Sequence, residues 1–259
     1  MRIEGARCLV TGGAGGIGRA LARALVARGA GAVVLSDRAG PALDAEAAAI
    51  GAEAMASDLT DPDGPADLIA RAEAAMGGID LMCSNAGVLI ADPDPADAAS
   101  APDADWTLSW DLNVMAHVRL ARAALPGMEH RGGGHMLLTV SAAGLLTMIG
   151  HAPYAVTKAA ALAFAQNLAI THGDRGIGVS ALCPQAVTTG MLRATPRPEA
   201  AMAAAALSAE DVAQAALDGV AAGRFLILPH PEVADYVRRR ADDLDRWIGG
   251  MRKMRRTLG

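Results

Sequence analysis

Seven short runs of apolar and β-branched residues alternate along this chain with long alanine-rich stretches, and that alternation restricts its fold more than any other feature. The short runs lie at 7–11, 32–36, 54–57, 79–83, 135–140, 178–182 and 225–228. The stretches of helical character lie at 17–28, 41–50, 62–76, 106–125, 154–172, 209–222 and 232–248. Strands joined by helices must run parallel, because each crossover returns the chain to the same edge of the sheet. The short runs contain few polar residues, as expected of strands covered on both faces. The expectation is an α/β fold, a doubly wound parallel sheet of about seven strands with helices on both faces. Ligands of such folds bind at the carboxyl ends of the strands, where the strand order reverses.

The length of 259 residues suits one such domain, 1–259, with no room for a sizeable second one. With 52% hydrophobic and 20% charged residues, the chain is expected to be globular rather than disordered. A net charge of −5 argues against a nucleic-acid partner. Three cysteines without CxxC spacing suggest neither a disulfide framework nor a zinc site, and the six histidines include no HExxH pair, so no metal is expected. The amino-terminal segment has no signal-peptide pattern and no stretch is apolar enough to span a bilayer, so a cytoplasmic protein without a membrane partner is expected. Residues 91–105 carry Asp92, Asp94, Asp97, Asp103 and Asp105 among prolines. They lack the glycine and terminal Glu of a calcium loop and are expected to be solvated. Residues 188–207 form a longer excursion after a strand and are expected to act as a substrate lid. The helical tail 232–259 places Val237, Ala241, Leu244, Ile248 and Met251 on one face and many arginines opposite; it could bind an anionic membrane or partner, but packing on its own domain or a sister subunit is expected.

Between the first strand and first helix lies Thr11-Gly12-Gly13-Ala14-Gly15-Gly16-Ile17-Gly18. Glycines let a backbone turn tightly and approach a pyrophosphate, which the amino terminus of the following helix attracts through its free N–H groups and dipole. Asp37 ends the second strand 19 residues after Gly18, the position of a carboxylate that binds ribose hydroxyls. A carboxylate there favours NAD and opposes the 2′-phosphate of NADP. Arg19 and Arg38 nearby leave NADP as the less favoured cofactor.

A composition rich in Ala, Gly and Arg makes certain other residues informative. Lysine occurs only at 158 and 253, tyrosine only at 154 and 236. Four such pairings give a chance +4 spacing about 4/259 of the time, on the order of 2%. Tyr154 and Lys158 have that spacing, which places phenol and ammonium on one face of a helix. A nearby cation favours phenolate, so Tyr154 can serve as acid/base for an alcohol losing hydride. Ser141, at the end of the fifth strand, can orient the substrate oxygen.

Taken in order, these motifs resemble the short-chain dehydrogenase/reductase family over nearly the whole chain. TGxxxGxG stands at Thr11 to Gly18, Asp-Leu at Asp58-Leu59, Asn-Ala-Gly at Asn85-Ala86-Gly87, and YxxxK at Tyr154 to Lys158. The resemblance implies a Rossmann-type NAD(P)-binding domain and a catalytic tetrad of Asn113, Ser141, Tyr154 and Lys158. Tyr154 would be acid/base, Ser141 would polarise the substrate oxygen, Lys158 would lower the Tyr pKa and hold the nicotinamide ribose, and Asn113 would support a water-linked proton relay. The implied cofactor contacts are Gly12, Gly16, Ile17, Gly18, Asp37, Asp58, Leu59, Asn85, Gly87, Tyr154, Lys158, Val187 and Thr189. Asn85 and Asp58 also admit structural readings, as a strand-end turn and a helix-start acid. The family's Pro-Gly after the sixth strand is here Pro184-Gln185, which adds a side chain close to the nicotinamide or substrate.

Leu145, Leu146, Met148, Met191, Leu192 and Met202 are candidate pocket walls, with few charges, and suit a small hydrophobic secondary alcohol or its ketone. Arg193 and Arg197 could bind an acid group but are expected to be solvated lid residues, and His151 either faces the substrate or is a loop histidine without a role. The enzyme expected is an NAD-dependent oxidoreductase of CH–OH groups, assembled as a homo-oligomer (tetramer or dimer) as relatives commonly are. Two alternatives are a non-catalytic NAD(H)-binding regulator, and an epimerase or dehydratase using the same Tyr–Lys pair.

Overall fold

A computed structural model describes residues 1–191 and 205–258. The chain runs β1 (Arg7–Thr11), α1 (Gly16–Ala27), β2 (Ala32–Asp37), α2 (Pro41–Ile50), β3 (Glu53–Ala56), α3 (Gly64–Met76) and β4 (Leu81–Ser84). After α4 (Asp103–Trp110) and a π-helical turn (Asp111–Met115) come α5 (Ala116–His130), β5 (Gly134–Thr139), α6 (Ala143–Leu146), α7 (Ala152–His172) and β6 (Ile177–Leu182). The last elements are α8 (Ala209–Ala221), β7 (Leu226–Ile227), α9 (Glu232–Asp242) and α10 (Leu244–Leu258). All seven strands are parallel, in the order β3-β2-β1-β4-β5-β6-β7. The order reverses between β1 and β4, and a crevice opens at their carboxyl ends. This is the doubly wound Rossmann-type sheet expected from the alternation.

Alternate residues of each strand build two cores. On one face Leu9, Val34, Met82 and Met136 meet Leu68 of α3, Leu120 of α5 and Leu162 of α7. On the other, Cys8, Val10, Leu35, Cys83 and Leu182 meet Leu21 and Leu25 of α1, Leu43 of α2 and Val212 and Leu217 of α8. Such period-two burial on both faces explains why the strands read as nearly unbroken apolar runs. All three cysteines are buried free thiols. Among the described residues no helix is long and apolar enough to cross a membrane.

Three expectations need correction. The single helix expected at 106–125 is α4 and α5 joined through the π-helical turn, whose extra residue per turn shifts the helix face at Asn113. The single tail helix breaks at Asp243, whose extended backbone (φ −154°, ψ 94°) separates α9 from α10. The side chain of Asp243 accepts the Arg246 N–H at 2.9 Å and so starts the second helix. Leu244 and Ile248, expected on the packed face, are exposed instead. The third correction concerns the acid-rich loop. Asp92 is buried and its carboxylate accepts the Ala152 N–H at 2.9 and 3.2 Å, satisfying a free donor at the start of α7. Asp94 and Asp97 accept backbone N–H groups two residues on, in local turns.

Two buried histidines set the acid limit of this fold. His117 is pushed down to about 3, by burial first and then by the charge of Lys158. Burial takes His135 down to about 4. Each folded value lies below the unfolded one, so the unfolded chain binds more protons and stability falls as pH drops from about 6.5 toward 3–4. At pH 5 each histidine is expected to have cost about 2 kcal/mol relative to neutral pH. Urea denaturation at pH 7 and pH 5 measures this, and His135→Gln should remove about half of the difference. Equal stability at both pH values would refute the assignment.

Candidate active site

The Gly-rich loop connects β1 to α1 at the mouth of the crevice. Gly12 has φ +66°, and a Cβ there would lie 3.0 Å from the Ala86 Cα. A Cβ on Gly18 would meet the Gly12 carbonyl oxygen at 2.1 Å, so the first turn of α1 rests directly on the loop. Gly15, by contrast, faces open space, and α1 has no side-chain cap and no acid in its first turn. Its amino-terminal N–H groups therefore remain available to an anion. Asp37 stands beside them at the end of β2, with one carboxylate oxygen accepting the Ala14 N–H at 3.1 Å and the other the Arg38 N–H at 2.8 Å. Open helix amides, a carboxylate and a loop made mostly of glycine fit a dinucleotide.

The Asn85–Gly87 segment forms the next wall. Asn85 is more than a strand-end turn residue: it donates to the Thr11 carbonyl at 3.1 Å and accepts the Thr139 hydroxyl at 3.0 Å, tying β1 to β5 across β4. Gly87 lies between two tetrad candidates, since a Cβ on it would be 2.9 Å from Asn113 Oδ1 and 3.2 Å from Lys158 Nζ. Asp58 is held below the usual carboxylate range, chiefly by the Thr60 side-chain hydroxyl at 2.7 Å and then by the Thr60 N–H. It lines the crevice while Leu59 beside it is buried. Thr189 covers Gly16, and Val187 is buried in an isolated bridge to Leu207. Of the expected lid, residues 192–204 lie outside the described residues, with Leu192, Arg193, Arg197 and Met202.

The tetrad candidates come from four elements. Asn113, fully buried in the π-helical turn, accepts the Val88 N–H and donates to the Val88 carbonyl, both at 2.9 Å, and donates to the Thr157 hydroxyl at 3.1 Å. It joins the segment after β4 to α7. Ser141 follows β5, and its hydroxyl accepts the Ala143 N–H at 3.1 Å. Tyr154 and Lys158 lie one turn apart on α7, with the ammonium 5.7 Å from the phenol ring centre. Lys158 donates to the Thr139 carbonyl at 2.9 Å. Ser141, Tyr154 and Lys158 line one cavity with Gly12, Gly16, Asp37 and Asn85.

The electrostatics differ from the expected lowering of the phenol. Burial pushes the Tyr154 hydroxyl above its ordinary value, and the hydrogen bond with Ser141 pulls it back in part. Burial also takes the Lys158 ammonium down to about 8. A cation that is itself desolvated costs stability until it loses its proton. The unfolded lysine holds its proton up to about 10.5, so this cost is relieved as pH rises from 8 to 10.5. Lys158→Met is expected to raise stability toward urea by about 1 kcal/mol or more, against the lost bond to Thr139. A less stable variant would show that the ammonium stabilises the fold.

Reasoning from sequence missed the third wall. The α9–α10 tail closes over the cavity beside Ser141: Val233 packs with Ala142 and Leu146, and Tyr236 and Trp247 join the same cluster. Tyr236, Arg239, Arg246, Trp247, Met251 and Met254 line the cavity. Their spacing along two helices was the available signal, obscured because the break at Asp243 changes which face turns inward. His151 also lines the cavity, buried, its ring bonded to the Ile149 carbonyl at 3.0 Å. Gln185 is held through its backbone N–H, which donates to buried His230 Nδ1 at 3.2 Å.

Fold and cavity define a doubly wound α/β protein with a buried tyrosine–lysine pair at the end of a glycine-lined groove. Residues 6–200 match the short chain dehydrogenase family, and the chain belongs to it. It is similar to 1-deoxy-11-beta-hydroxypentalenate dehydrogenase of Streptomyces exfoliatus, 35% identical over 96% of this chain and 91% of that one. Among solved structures, a short chain dehydrogenase/reductase from Burkholderia phymatum in complex with NAD superposes with a TM-score of 0.82 and 28% identity, over 95% and 96% of the two chains. A 7α-hydroxysteroid dehydrogenase complexed with NADH and 7-oxo glycochenodeoxycholic acid superposes with a TM-score of 0.78 and 28% identity, over 88% and 93%. Family and relatives support an oxidoreductase acting on CH–OH groups with a nicotinamide cofactor.

Proposed function

We propose that the chain is an NAD-dependent oxidoreductase that interconverts an apolar secondary alcohol and its ketone. The observation that carries this reading is that Ser141, Tyr154 and Lys158 line the same cavity as the glycine loop and Asp37. A bound nicotinamide would supply the hydride acceptor or donor. Ser141 donates a hydrogen bond to the substrate oxygen, and Tyr154 takes the hydroxyl proton or returns it to the ketone. Lys158 supplies the positive charge that favours phenolate once substrate excludes water, and holds the ribose. Asn113 anchors the Asn85–Val88 wall to α7 and supports the proton relay. Asp37 binds the adenosine ribose hydroxyls and opposes a 2′-phosphate, while Asp58 and Leu59 border the adenine. Gly12, Gly16, Ile17 and Gly18 carry the pyrophosphate, Asn85 and Gly87 flank the cofactor, and Val187 and Thr189 hold the carboxamide.

The relatives that act on polycyclic alcohols favour a substrate of comparable bulk. One domain does this work, with 188–207 as its lid and the tail as its roof. Exposed Val156 and Ile170 on α7 offer an apolar face for a second copy of the chain, and the assembly works in the cytoplasm. Absorbance at 340 nm with a panel of alicyclic and steroidal alcohols should rise with NAD, and at least tenfold less efficiently with NADP. Tight NAD binding without turnover on the whole panel would instead favour a nucleotide-sensing regulator.

A further inference from the structure

The tail helices present an unusual wall to the cavity. On α10 the residues that face inward recur at helical spacing, with Trp247, Gly250, Met251 and Met254 as an apolar stripe between Arg246 and Arg255. On α9 the inward face carries Tyr236 and Arg239, with the guanidinium 6.0 Å from the tyrosine ring centre. Arg239, Arg246 and Arg255 form no ion pair among the described residues, whereas Arg238, on the same helix and outside the cavity, pairs with Asp235. The indole N–H of Trp247 is buried without an acceptor, and the Tyr236 hydroxyl has none among the described residues. Three acids share this wall. Asp243 is engaged in capping α10. Glu232 opens α9 and Asp242 closes it, and neither pairs with the three arginines.

The rest of the cavity lining includes apolar Leu146, Met148, Ile149 and Leu89. The cavity, open to solvent on one side, has a volume of about 2340 Å³. Ligand pockets commonly run to roughly 1,000 Å³, so there is room for a second bulky ligand beside a dinucleotide. A wall with three guanidiniums free of ion pairs, its formal charge balanced by the three acids, in a cavity with this apolar lining suits a ligand with an apolar body and an oxyanion at one end that reaches the guanidiniums. Tyr236 and Trp247 pack with Ala142 and Leu146, which closely follow Ser141, so this wall belongs to the substrate end.

We propose that the substrate is an apolar, ring-containing alcohol bearing a carboxylate remote from the reacting carbon, received by Arg239 and Arg246. This rests on the oxidoreductase reading for the alcohol and on the tail's chemistry for the acid. The test uses two matched pairs on the NAD-saturated protein: cholate with its methyl ester, and 4-hydroxycyclohexanecarboxylate with its methyl ester. Calorimetry should show an acid bound at least tenfold more tightly than its ester. Arg239→Gln/Arg246→Gln should bring the acid to within about twofold of the ester and leave ester binding and NAD affinity unchanged, while Arg238→Gln changes nothing. Equal binding of acid and ester, no binding of either acid, or an equal loss for acid and ester in the double variant would overturn the proposal. So would a fall in NAD affinity, since the arginines would then serve the cofactor's phosphates. Acid-selective binding without any change at 340 nm would uphold the carboxylate site and count against the oxidoreductase reading. Turnover of ester and acid with equal efficiency would do the reverse.

Discussion

Tyr154→Phe is expected to leave a folded protein that binds NAD and turns substrate over at most about a thousandth as fast, because a positioned acid/base contributes 10²–10⁴-fold. The substitution removes one oxygen from a ring that is 8% exposed, so the shape of the site is kept. The loss should fall on kcat, with NAD affinity within about twofold of the unaltered protein, since Lys158 keeps its bond to the Thr139 carbonyl. The pH profile supplies a second check. The phenol is pushed up by burial and lowered by Ser141, so turnover in the oxidising direction should rise with pH until the phenol ionises. Retention of a tenth or more of the activity would exclude Tyr154 as the acid/base and shift attention to Ser141 or a bound water.

Gly18→Ala should produce the largest loss of structure for the smallest change. Helix propensity alone predicts a gain of about 1 kcal/mol on replacing glycine within α1. The added Cβ would lie 2.1 Å from the Gly12 carbonyl oxygen and 2.7 Å from the Asn85 amide nitrogen. The loop cannot retreat, because Gly12 already sits against Ala86 in a left-handed conformation. Overpacking of this kind costs about 1–3 kcal/mol or more, so a net loss of about 2 kcal/mol is expected in urea denaturation, with NAD affinity at least tenfold weaker. Gly15→Ala is the control: its Cβ meets nothing, and stability should change by less than about 0.5 kcal/mol. Similar effects at both positions would mean that sequence position rather than backbone contact governs the loop.

Most of the fold was legible because its signals are local. Each strand shows its two-sided burial in its own residues, and the glycine loop marks where β1 turns into α1. The order of the motifs was equally readable, from Thr11 through Asn85 and Asn113 to Tyr154. Local signals failed where a residue's partner is distant in the chain. Asp92 looked like one solvated acid among five, and only its approach to Ala152, 60 residues away, makes it the cap of α7. The uninterrupted 106–125 pattern concealed the π-helical turn, since one extra residue in the ladder leaves the composition unchanged.

The site divides in the same way. Tyr154 and Lys158 were visible because helical spacing relates them directly, and Ser141 because it ends a strand. Their electrostatics were not visible. The Lys158 ammonium suggested a lowered phenol, but desolvation of both groups acts first, and desolvation depends on everything packed around them. The tail shows the difference most fully. Its amphipathic character was readable, yet the break at Asp243 rotates the inward face from Leu244 and Ile248 to Arg246, Trp247 and Met251.

By itself, then, the amino-acid sequence determined the alternating parallel sheet, the glycine loop and the Tyr154–Lys158 pairing on one helix, all of which follow from short-range periodicity and from residues a few positions apart. Tertiary structure alone decided which wall closes the cavity, which acid caps α7 and how strongly burial opposes charge at Lys158. Those outcomes arise from packing between elements far apart in the chain, where small changes of helix phase decide which side chains meet.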